Sequence, residues 1–233
     1  MRASTDVEKA PSGIKGLDNL LSGGFPKSAL ILVAGGPGAG KTVLSTQFLY
    51  NGAVMYGEKG VYAPFSESRT TFNRYAATLG FNLEALEKEK KITVIDHLTT
   101  SIKEGIEPNL KRIVNKITET GAQRLVIDSI ATMTIGVEEA AEVRTIIYLL
   151  RQSLREIGCT TLLITETPHG QRRLGIGREE FIADGILVLE QSLKADELKR
   201  RLYILKMRGV AHSMKAVRFT VGKGGITVLP PIE

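Results

Sequence analysis

The chain has 233 residues, 42% hydrophobic and 24% charged, which is typical of a globular protein with a sizeable core. Its net charge of +6 permits contact with nucleic acid but does not require it. Its single cysteine, Cys159, excludes an internal disulfide, and three scattered histidines (His97, His169 and His212) predict no Cys/His metal cluster. Because residues 1–11 lack a signal-peptide core and no apolar run could cross a bilayer, we expect a cytoplasmic protein with no membrane segment.

Apolar, β-branched runs alternate with helical patterns along the first four-fifths of the chain. The runs lack polar alternation, which is typical of parallel strands covered on both faces. Strands that alternate with helices predict right-handed βαβ units. The predicted strands are residues 30–34, 60–63, 92–95, 124–128, 161–165 and 186–189.

The clearest helical pattern precedes Gly158, where a helix is expected to end. Its apolar face is predicted to contain Val143, Ile146, Ile147, Leu150, Leu154 and Ile157. Three later strand-like segments, 201–207, 217–221 and 226–229, are joined by short turn-rich links, which favours an antiparallel extension of the same sheet. Since we find no repeat or linker, we expect one domain over residues 1–233.

A glycine-rich segment, Gly35 to Thr42, follows the first predicted strand. It fits the pattern G-x-x-x-x-G-K-[ST] at every fixed position and leads into a helical pattern, which predicts a phosphate-binding loop. Glycines let the backbone N–H groups face phosphate oxygens, and the helix N-terminus adds positive potential. Lys41 is predicted to reach the β- and γ-phosphates, and Thr42 to offer its hydroxyl to Mg²⁺. The predicted nucleotide contacts are Gly36, Pro37, Gly38, Ala39, Gly40, Lys41, Thr42 and Val43.

Asp128 ends an apolar strand, which is the position of a Walker-B aspartate that holds Mg²⁺ through water. The alternative is an aspartate that caps the next helix, since Ser129 follows. With the phosphate loop upstream, we favour the Mg²⁺ role for Asp128.

Several further segments carry a family resemblance. They are residues 13–26 and 45–52, Thr165-Glu166, residues 179–185, Lys206-x-Arg208 and His212-Ser213-Met214-Lys215. Together with the phosphate loop they resemble the KaiC-like branch of the RecA superfamily over nearly the whole chain. The resemblance implies a RecA-like α/β fold of the P-loop NTPase type, with a mainly parallel central sheet flanked by helices. It also implies ATP as the ligand, beside Mg²⁺, and a homo-oligomeric, hexameric ring with ATP at each subunit interface.

The resemblance covers one such domain, whereas the clock protein carries two in tandem. The chain is therefore more similar to single-domain members, some of which resemble RadA paralogues linked to DNA repair. A slow ATPase that switches assembly or partner binding is the leading hypothesis. A DNA-binding accessory protein of recombination and a nucleotide-binding module without hydrolysis are the alternatives.

The chain departs from the family pattern at two places. After the second strand the family usually has two adjacent glutamates, the first taken as the base that activates water, whereas this chain has Ser66 and Glu67. A serine cannot take a proton from water at neutral pH as a carboxylate can. Either Glu67 acts as the base with altered geometry or hydrolysis is slow, and Glu67 can also be a solvated loop residue. Near the C-terminus Gly222-Lys223 replaces the Thr-Asp pair that relatives place near the neighbour's nucleotide.

The resemblance implies roles for four more residues. Thr165 follows an apolar strand, where related ATPases place a γ-phosphate sensor, although a strand-end turn residue fits equally. Lys206 and Arg208 are implied to contact a neighbour's γ-phosphate, and His212 to contact nucleotide. Strand alternation predicts Lys206 and Arg208 on one face, with Leu205 and Met207 on the other. The alternative is a solvated basic sheet edge.

The segment 168–178 is polar and glycine-rich, which predicts a loop. In RecA-type recombinases the matching loop lines the pore and contacts single-stranded DNA, and Arg172, Arg173 and Arg178 offer cations for phosphates. The loop has no aromatic side chain for base stacking, so a solvated basic loop is the alternative.

Overall fold

The structure is a computed structural model that describes residues 7–96, 98, 106–137, 139–167, 179–194 and 196–230. The strands are β1 Lys9–Ala10, β2 Phe25–Pro26, β3 Leu30–Gly35, β4 Gly60–Pro64, β5 Ile92–Val94, β6 Arg124–Asp128, β7 Thr160–Glu166, β8 Gly185–Lys194, β9 Glu197–Met207, β10 Val217–Gly222 and β11 Gly225–Val228. The helices are α1 Leu17–Leu20, α2 Lys41–Met55, α3 Arg69–Thr78, α4 Leu83–Lys88, α5 Glu107–Thr120, α6 Ile130–Met133 and α7 Ala140–Ile157, with a 3₁₀ turn at Glu179–Phe181.

One large sheet organises the described residues, with the strand order β11-β10-β9-β8-β3-β7-β6-β4-β5. The six strands from β8 to β5 in this order run parallel to one another, and β9, β10 and β11 add antiparallel pairs on the other side of β8. The predicted fold class, a mainly parallel sheet with a C-terminal antiparallel extension, is confirmed. The phosphate-loop strand β3 lies near the middle, between β8 and β7.

Helices cover both faces of the parallel strands. One core packs around α2 and includes Phe48 and Leu187, and the other packs under α5 and α7 and includes Ile113 and Ile147. Every residue of β3 is buried, because its side chains alternate between these two cores. This explains why the strand runs show no polar alternation.

The predicted apolar face of α7 is confirmed for its first five residues but is wrong for Ile157. The side chain of Ile157 is 38% exposed, whereas Val143 to Leu154 of the predicted set are buried. Ile157 is the last helical residue, and Gly158 ends the helix in the left-handed region at φ 85°. There α7 reaches the edge of the sheet at which β7 begins, so less of the sheet lies beneath it.

The alternation predicted along β9 is also wrong at its end. Leu205 is 50% exposed whereas Met207 is buried, so the two side chains do not share a face. The register passes from Leu187 opposite Ile204 to Ile186 opposite Lys206, which leaves Leu205 as an extra residue. Such a β-bulge breaks the period-2 pattern, and no local sequence signal marked it.

Within the ranges the structure describes, none of the helices combines the length and apolar character needed to span a membrane.

Candidate nucleotide-binding site

The predicted phosphate loop connects the end of β3 to the start of α2. Gly38 and Gly40 have φ of +72° and +100°, a region that favours glycine. A Cβ at Gly35 would collide with the backbone carbonyl of Leu189 on β8. The N–H of Ala39 closes the turn by donating to the carbonyl of Gly36 at 3.3 Å. The glycines of the motif therefore have local structural reasons.

The Lys41 side chain folds back over this loop. Its Nζ donates to the carbonyl oxygens of Gly35 at 2.8 Å and Gly36 at 2.9 Å. Burial lowers the pKa of Lys41, while the charges of Glu166 and Asp128 act in the opposite direction. The ammonium is thus held at the loop by two carbonyls and lies in the field of two carboxylates.

Asp128 at the end of β6 is the centre of the polar cluster. Thr42 Oγ1 donates to Asp128 Oδ2 at 2.8 Å, and Tyr62 Oη donates to the same oxygen at 2.9 Å. Burial raises the pKa of Asp128, although these two hydrogen bonds and the charge of Lys41 lower it in part. A hydroxyl and a carboxylate side by side are hard oxygen donors of the kind that Mg²⁺ prefers. Thr42 and Asp128 therefore fit the predicted metal.

The alternative role for Asp128, as a helix cap, is not what the structure contains. Ser129 caps α6 instead, because its Oγ accepts a hydrogen bond from the Thr132 N–H. The Asp128 carboxylate is left to bind Thr42 and Tyr62.

Tyr62 is a residue of this cluster that the sequence analysis missed. It lies on β4, is 2% exposed, and stacks on Phe72 with the ring centroids 3.8 Å apart. Burial and the neighbouring Asp128 carboxylate raise the pKa of Tyr62 well above its ordinary value. The single phenol in an otherwise apolar strand was the only sequence signal for this role.

Ser66 and Glu67 follow β4 and lie beside the end of β6. The Phe65 N–H donates to the Asp128 carbonyl at 2.8 Å, and Ser66 Oγ is 3.1 Å from Thr132 Oγ1. Glu67 is exposed, and its pKa is raised by partial burial and by the charge of Asp128. Both positions of the family's glutamate pair are thus at the same edge of the sheet as the phosphate loop.

The end of β7 brings one more carboxylate to the loop. Thr165, the predicted sensor, is fully buried and pairs with Ala34, whereas the next residue, Glu166, is exposed and pairs with Gly35. The charge of Glu166 opposes the lowering of the Lys41 pKa by burial, and it adds to the rise of the Asp128 pKa that burial causes. The structure therefore places the Glu166 carboxylate, rather than the Thr165 hydroxyl, on the exposed end of this strand.

Lys206, Arg208 and His212 lie near the ends of the sheet where the parallel strands begin, whereas the phosphate loop lies at the carboxyl ends of those strands. Lys206 pairs with Ile186 near the start of β8, and the Arg208 N–H donates to the carbonyl of Asp184, which itself lies beside the start of β3. Next to His212, the Ser213 N–H donates to the Leu20 carbonyl. The structure does not bring these residues together with Lys41 in one chain.

The two cations share a face, as predicted, and are held by the turn before β8. Lys206 Nζ donates to the carbonyls of Glu180 at 3.0 Å and Ala183 at 2.7 Å, and Arg208 Nη2 donates to the carbonyl of Phe181 at 3.0 Å. Desolvation and the charge of Arg208 lower the pKa of Lys206.

A carboxylate, Asp184, accompanies these cations. It forms a two-bond ion pair with Arg151 at 3.0 and 2.6 Å and lies 3.7 Å from Arg208 Nη1. Although burial raises the pKa of Asp184, the bonds from Arg151 and the Leu30 N–H and the charge of Arg208 outweigh it, so the net shift is downward. Sequence proximity had not indicated this partner.

Two predicted features lie outside the described residues. These are the basic loop 168–178, with Arg172, Arg173 and Arg178, and the histidines His97 and His169. The departure at Gly222-Lys223 lies at the turn between β10 and β11, where the Gly224 N–H donates to the Leu79 carbonyl at 2.7 Å.

The chain is similar to known proteins over most of its length. The chain is 35% identical over 240 residues to a UPF0273 protein of Thermotoga maritima, with 96% of this chain and 97% of that protein covered. It is 32% identical to the circadian clock oscillator protein KaiC of Prochlorococcus marinus, and the match spans 46% of that protein. A crystal structure of a KaiC-like protein from Pyrococcus horikoshii superposes with a TM-score of 0.87 at 40% identity, covering 96% of this chain and all of that one. The family model described as "ATPase: KaiC" matches residues 10–233, so the chain belongs to the KaiC-like ATPase family.

Proposed function

We propose that this protein binds ATP with Mg²⁺ at the phosphate loop and hydrolyses it slowly as a nucleotide-switched homo-oligomeric ring. The observation that carries the proposal is the convergence of Thr42 and Tyr62 on Asp128 beside the Lys41 ammonium. The three side chains come from different elements: Tyr62 from β4, Thr42 from α2 and Asp128 from β6. A phosphate loop after one strand and a carboxylate at the carboxyl end of another parallel strand form the arrangement of ATP- and GTP-binding P-loop proteins. Here the two strands are β3 and β6, with β7 between them.

Each residue of this cluster has a distinct role in the proposal. The loop N–H groups and Lys41 bind the phosphates, and Thr42 and Asp128 hold Mg²⁺. Bound Mg²⁺ neutralises phosphate charge. Tyr62 keeps the Asp128 carboxylate oriented through its 2.9 Å hydrogen bond, and Val43 lies in the first turn of α2, whose N-terminus faces the phosphates.

Slow hydrolysis is proposed because of the side chains that follow β4. Ser66 stands where a carboxylate base is expected, and Glu67 remains as the neighbouring carboxylate. Its pKa, raised by partial burial and by Asp128, makes Glu67 a better proton acceptor than an ordinary carboxylate. If Glu67 does not reach the attacking water, the protein is a nucleotide-binding module without hydrolysis.

Assembly is proposed because the phosphate loop and the cations implied to contact its γ-phosphate lie at opposite ends of the strands of one sheet. Lys206, Arg208 and His212 cannot reach the phosphate loop of their own chain without unfolding β8 and β9, but a neighbour stacked head to tail brings them to it. Repetition of a head-to-tail contact closes a ring when the rotation permits. We propose a hexamer in which Lys206 and Arg208 contact the neighbour's γ-phosphate, in the manner of an arginine finger.

One experiment tests both halves of the proposal. Sedimentation velocity is measured with and without ATP and Mg²⁺, beside a phosphate-release assay on the same sample. We expect ATP to shift the protein towards a large oligomer and phosphate to appear slowly. Assembly without phosphate release supports the module that does not hydrolyse, and no change in either measurement contradicts the proposal.

The proposal of a DNA-binding accessory protein is kept as an alternative, with single-stranded DNA as the partner. It depends on the basic loop 168–178, and its test is binding of a labelled oligonucleotide at several salt concentrations. The double change Arg172→Ala with Arg173→Ala should flatten the salt slope by about 0.7 per lost contact. Absence of binding at low salt removes this alternative.

A further inference from the structure

One side chain from outside the motif holds the apex of the phosphate loop. Gln191 lies on β8, two residues beyond Leu189, which pairs with Gly35 at the end of β3. Its Nε2 donates a 2.7 Å hydrogen bond to the carbonyl oxygen of Pro37. The same amide packs on Gly38, because a Cβ at Gly38 would lie 3.4 Å from Gln191 Nε2.

This hydrogen bond fixes the orientation of a peptide group. The bond between Pro37 and Gly38 is a trans peptide, and in a planar trans peptide the carbonyl and the N–H point in opposite directions. A Pro37 carbonyl held towards Gln191 therefore turns the Gly38 N–H away from β8. No backbone carbonyl of the described residues accepts this N–H. Within the part of the chain that the structure describes, this N–H stays available to a ligand in the loop.

We infer that Gln191 is a positioning residue that sets the Gly38 N–H as a phosphate donor. The inference rests on the proposed binding of ATP at this loop. The Ala39–Gly36 hydrogen bond closes the turn around this peptide but does not by itself choose its orientation, because type I and type II turns share that bond and differ by a flip of the central peptide. Fixing it before binding removes part of the ordering cost of the ligand complex.

The phosphate that accepts a hydrogen bond from this N–H is present in both ATP and ADP, because loop N–H groups of this type bind the α- and β-phosphates. Lys41, by contrast, reaches towards the γ-phosphate as well. Loss of Gln191 should therefore weaken ATP and ADP to the same degree, whereas loss of Lys41 should weaken ATP more. This pattern separates the role of Gln191 from that of Lys41.

The test is Gln191→Met, which keeps the side-chain length and removes the amide donor. Calorimetry should show Kd for ATP and for ADP raised about two- to tenfold each, as expected for one neutral hydrogen bond. Ser192→Ala, a change at the next residue on the opposite face of β8, is the matched control and should leave both values unchanged.

A spectroscopic measurement distinguishes positioning from a general loss of structure. In protein labelled with ¹⁵N-glycine, ADP should move the Gly38 amide resonance of the wild type, and this movement should be smaller in Gln191→Met. If the variant does not fold, Gln191→Asn, which is shorter by one carbon, takes its place with the same two readouts. Unchanged Kd values and an unchanged Gly38 response overturn the inference, whereas failure of the wild type to bind either nucleotide overturns the proposed function instead.

Discussion

Thr42 and Asp128 are separated by 86 positions in the sequence, yet the hydroxyl of one donates to the carboxylate of the other at 2.8 Å. The bond joins the first turn of α2 to the end of β6, which are brought together because β3 and β6 both flank β7 in the parallel sheet. Carboxyl ends of parallel strands form the binding edge of open α/β sheets. The function we propose depends on this juxtaposition.

Replacing Lys41 by alanine should abolish most of the ATP affinity. The change removes a charge-assisted contact to phosphate, which contributes about 1.5–3 kcal/mol, or roughly 10- to 150-fold in Kd. Calorimetric titration with ATP measures the loss. Lys116→Ala, which removes a lysine from the exposed face of α5, is the control and should bind as the wild type does. Equal affinities for Lys41→Ala and the control would show that the loop is not the nucleotide site.

Hydrolysis should respond to the two residues after β4. Ser66→Glu restores the carboxylate that the family pattern has there and should raise the rate of phosphate release. Glu67→Gln removes the remaining carboxylate and should lower it. Since the pKa of Glu67 is raised, the wild-type rate should fall as the pH drops through that pKa, because the protonated carboxyl cannot accept a proton. A fast wild-type ATPase that Glu67→Gln leaves unaffected contradicts this account.

The Asp128 carboxylate should reduce the stability of the protein at neutral pH. Its folded-state pKa is raised, chiefly by burial, so ionisation opposes folding. The stability that the neutral form supplies is fully present below the unfolded pKa and is lost as the pH rises through the folded pKa. Asp128→Asn should therefore be more stable than the wild type at pH 7, and the difference should shrink towards acidic pH.

Thermal denaturation across this pH range measures the effect of Asp128→Asn. The midpoint should rise by about 2–4 °C for each kcal/mol that the change relieves. The amide oxygen can still accept from both Thr42 and Tyr62, because both bonds end on the same carboxylate oxygen. Asp96→Asn, at a carboxylate that is 39% exposed, is the control and should change the midpoint less. A destabilised Asp128→Asn at pH 7 would count against the burial argument.

The sequence predicted the parts of the site that are encoded locally. The loop glycines, Lys41 and Thr42 lie within eight consecutive residues, and Asp128 ends an apolar strand, so spacing alone indicated them. Tyr62 and Gln191 could not be found in this way, because their partners lie 66 and 154 positions away. Their roles depend on which strands become neighbours, a tertiary property that no local pattern contains.

The same distinction explains the errors in the predicted strands and helices. The bulge at Leu205 arises from a mismatch of register between β8 and β9, whereas a single strand carries only its own alternation. Ile157 fits the helical period but lies where α7 leaves the sheet. Local period predicts the face of an element and not the extent of the surface that covers it.

Lys206 and Arg208 should act on the ATP of a neighbouring subunit. In their own chain they are held by the carbonyls of Glu180, Phe181 and Ala183, at the edge of the sheet where β3 begins. The double change Lys206→Ala with Arg208→Ala should abolish assembly promoted by ATP. Calorimetric binding at the Lys41 site of the isolated subunit should remain largely in place, because no part of that site is removed.

Mixing variants tests the neighbour relationship directly. A subunit with the double change keeps its phosphate loop, and a Lys41→Ala subunit keeps its Lys206 and Arg208. Where the cations of a Lys41→Ala subunit face the phosphate loop of a subunit with the double change, the interface contains a complete site. The mixture should therefore regain phosphate release and assembly that neither variant has alone. The control mixes the double variant with a triple variant that carries Lys41→Ala as well as both cation changes, and no interface of that mixture is complete. If both mixtures behave alike while thermal melting shows that all three variants fold, the two cations do not serve a neighbour, and the ring mechanism is wrong.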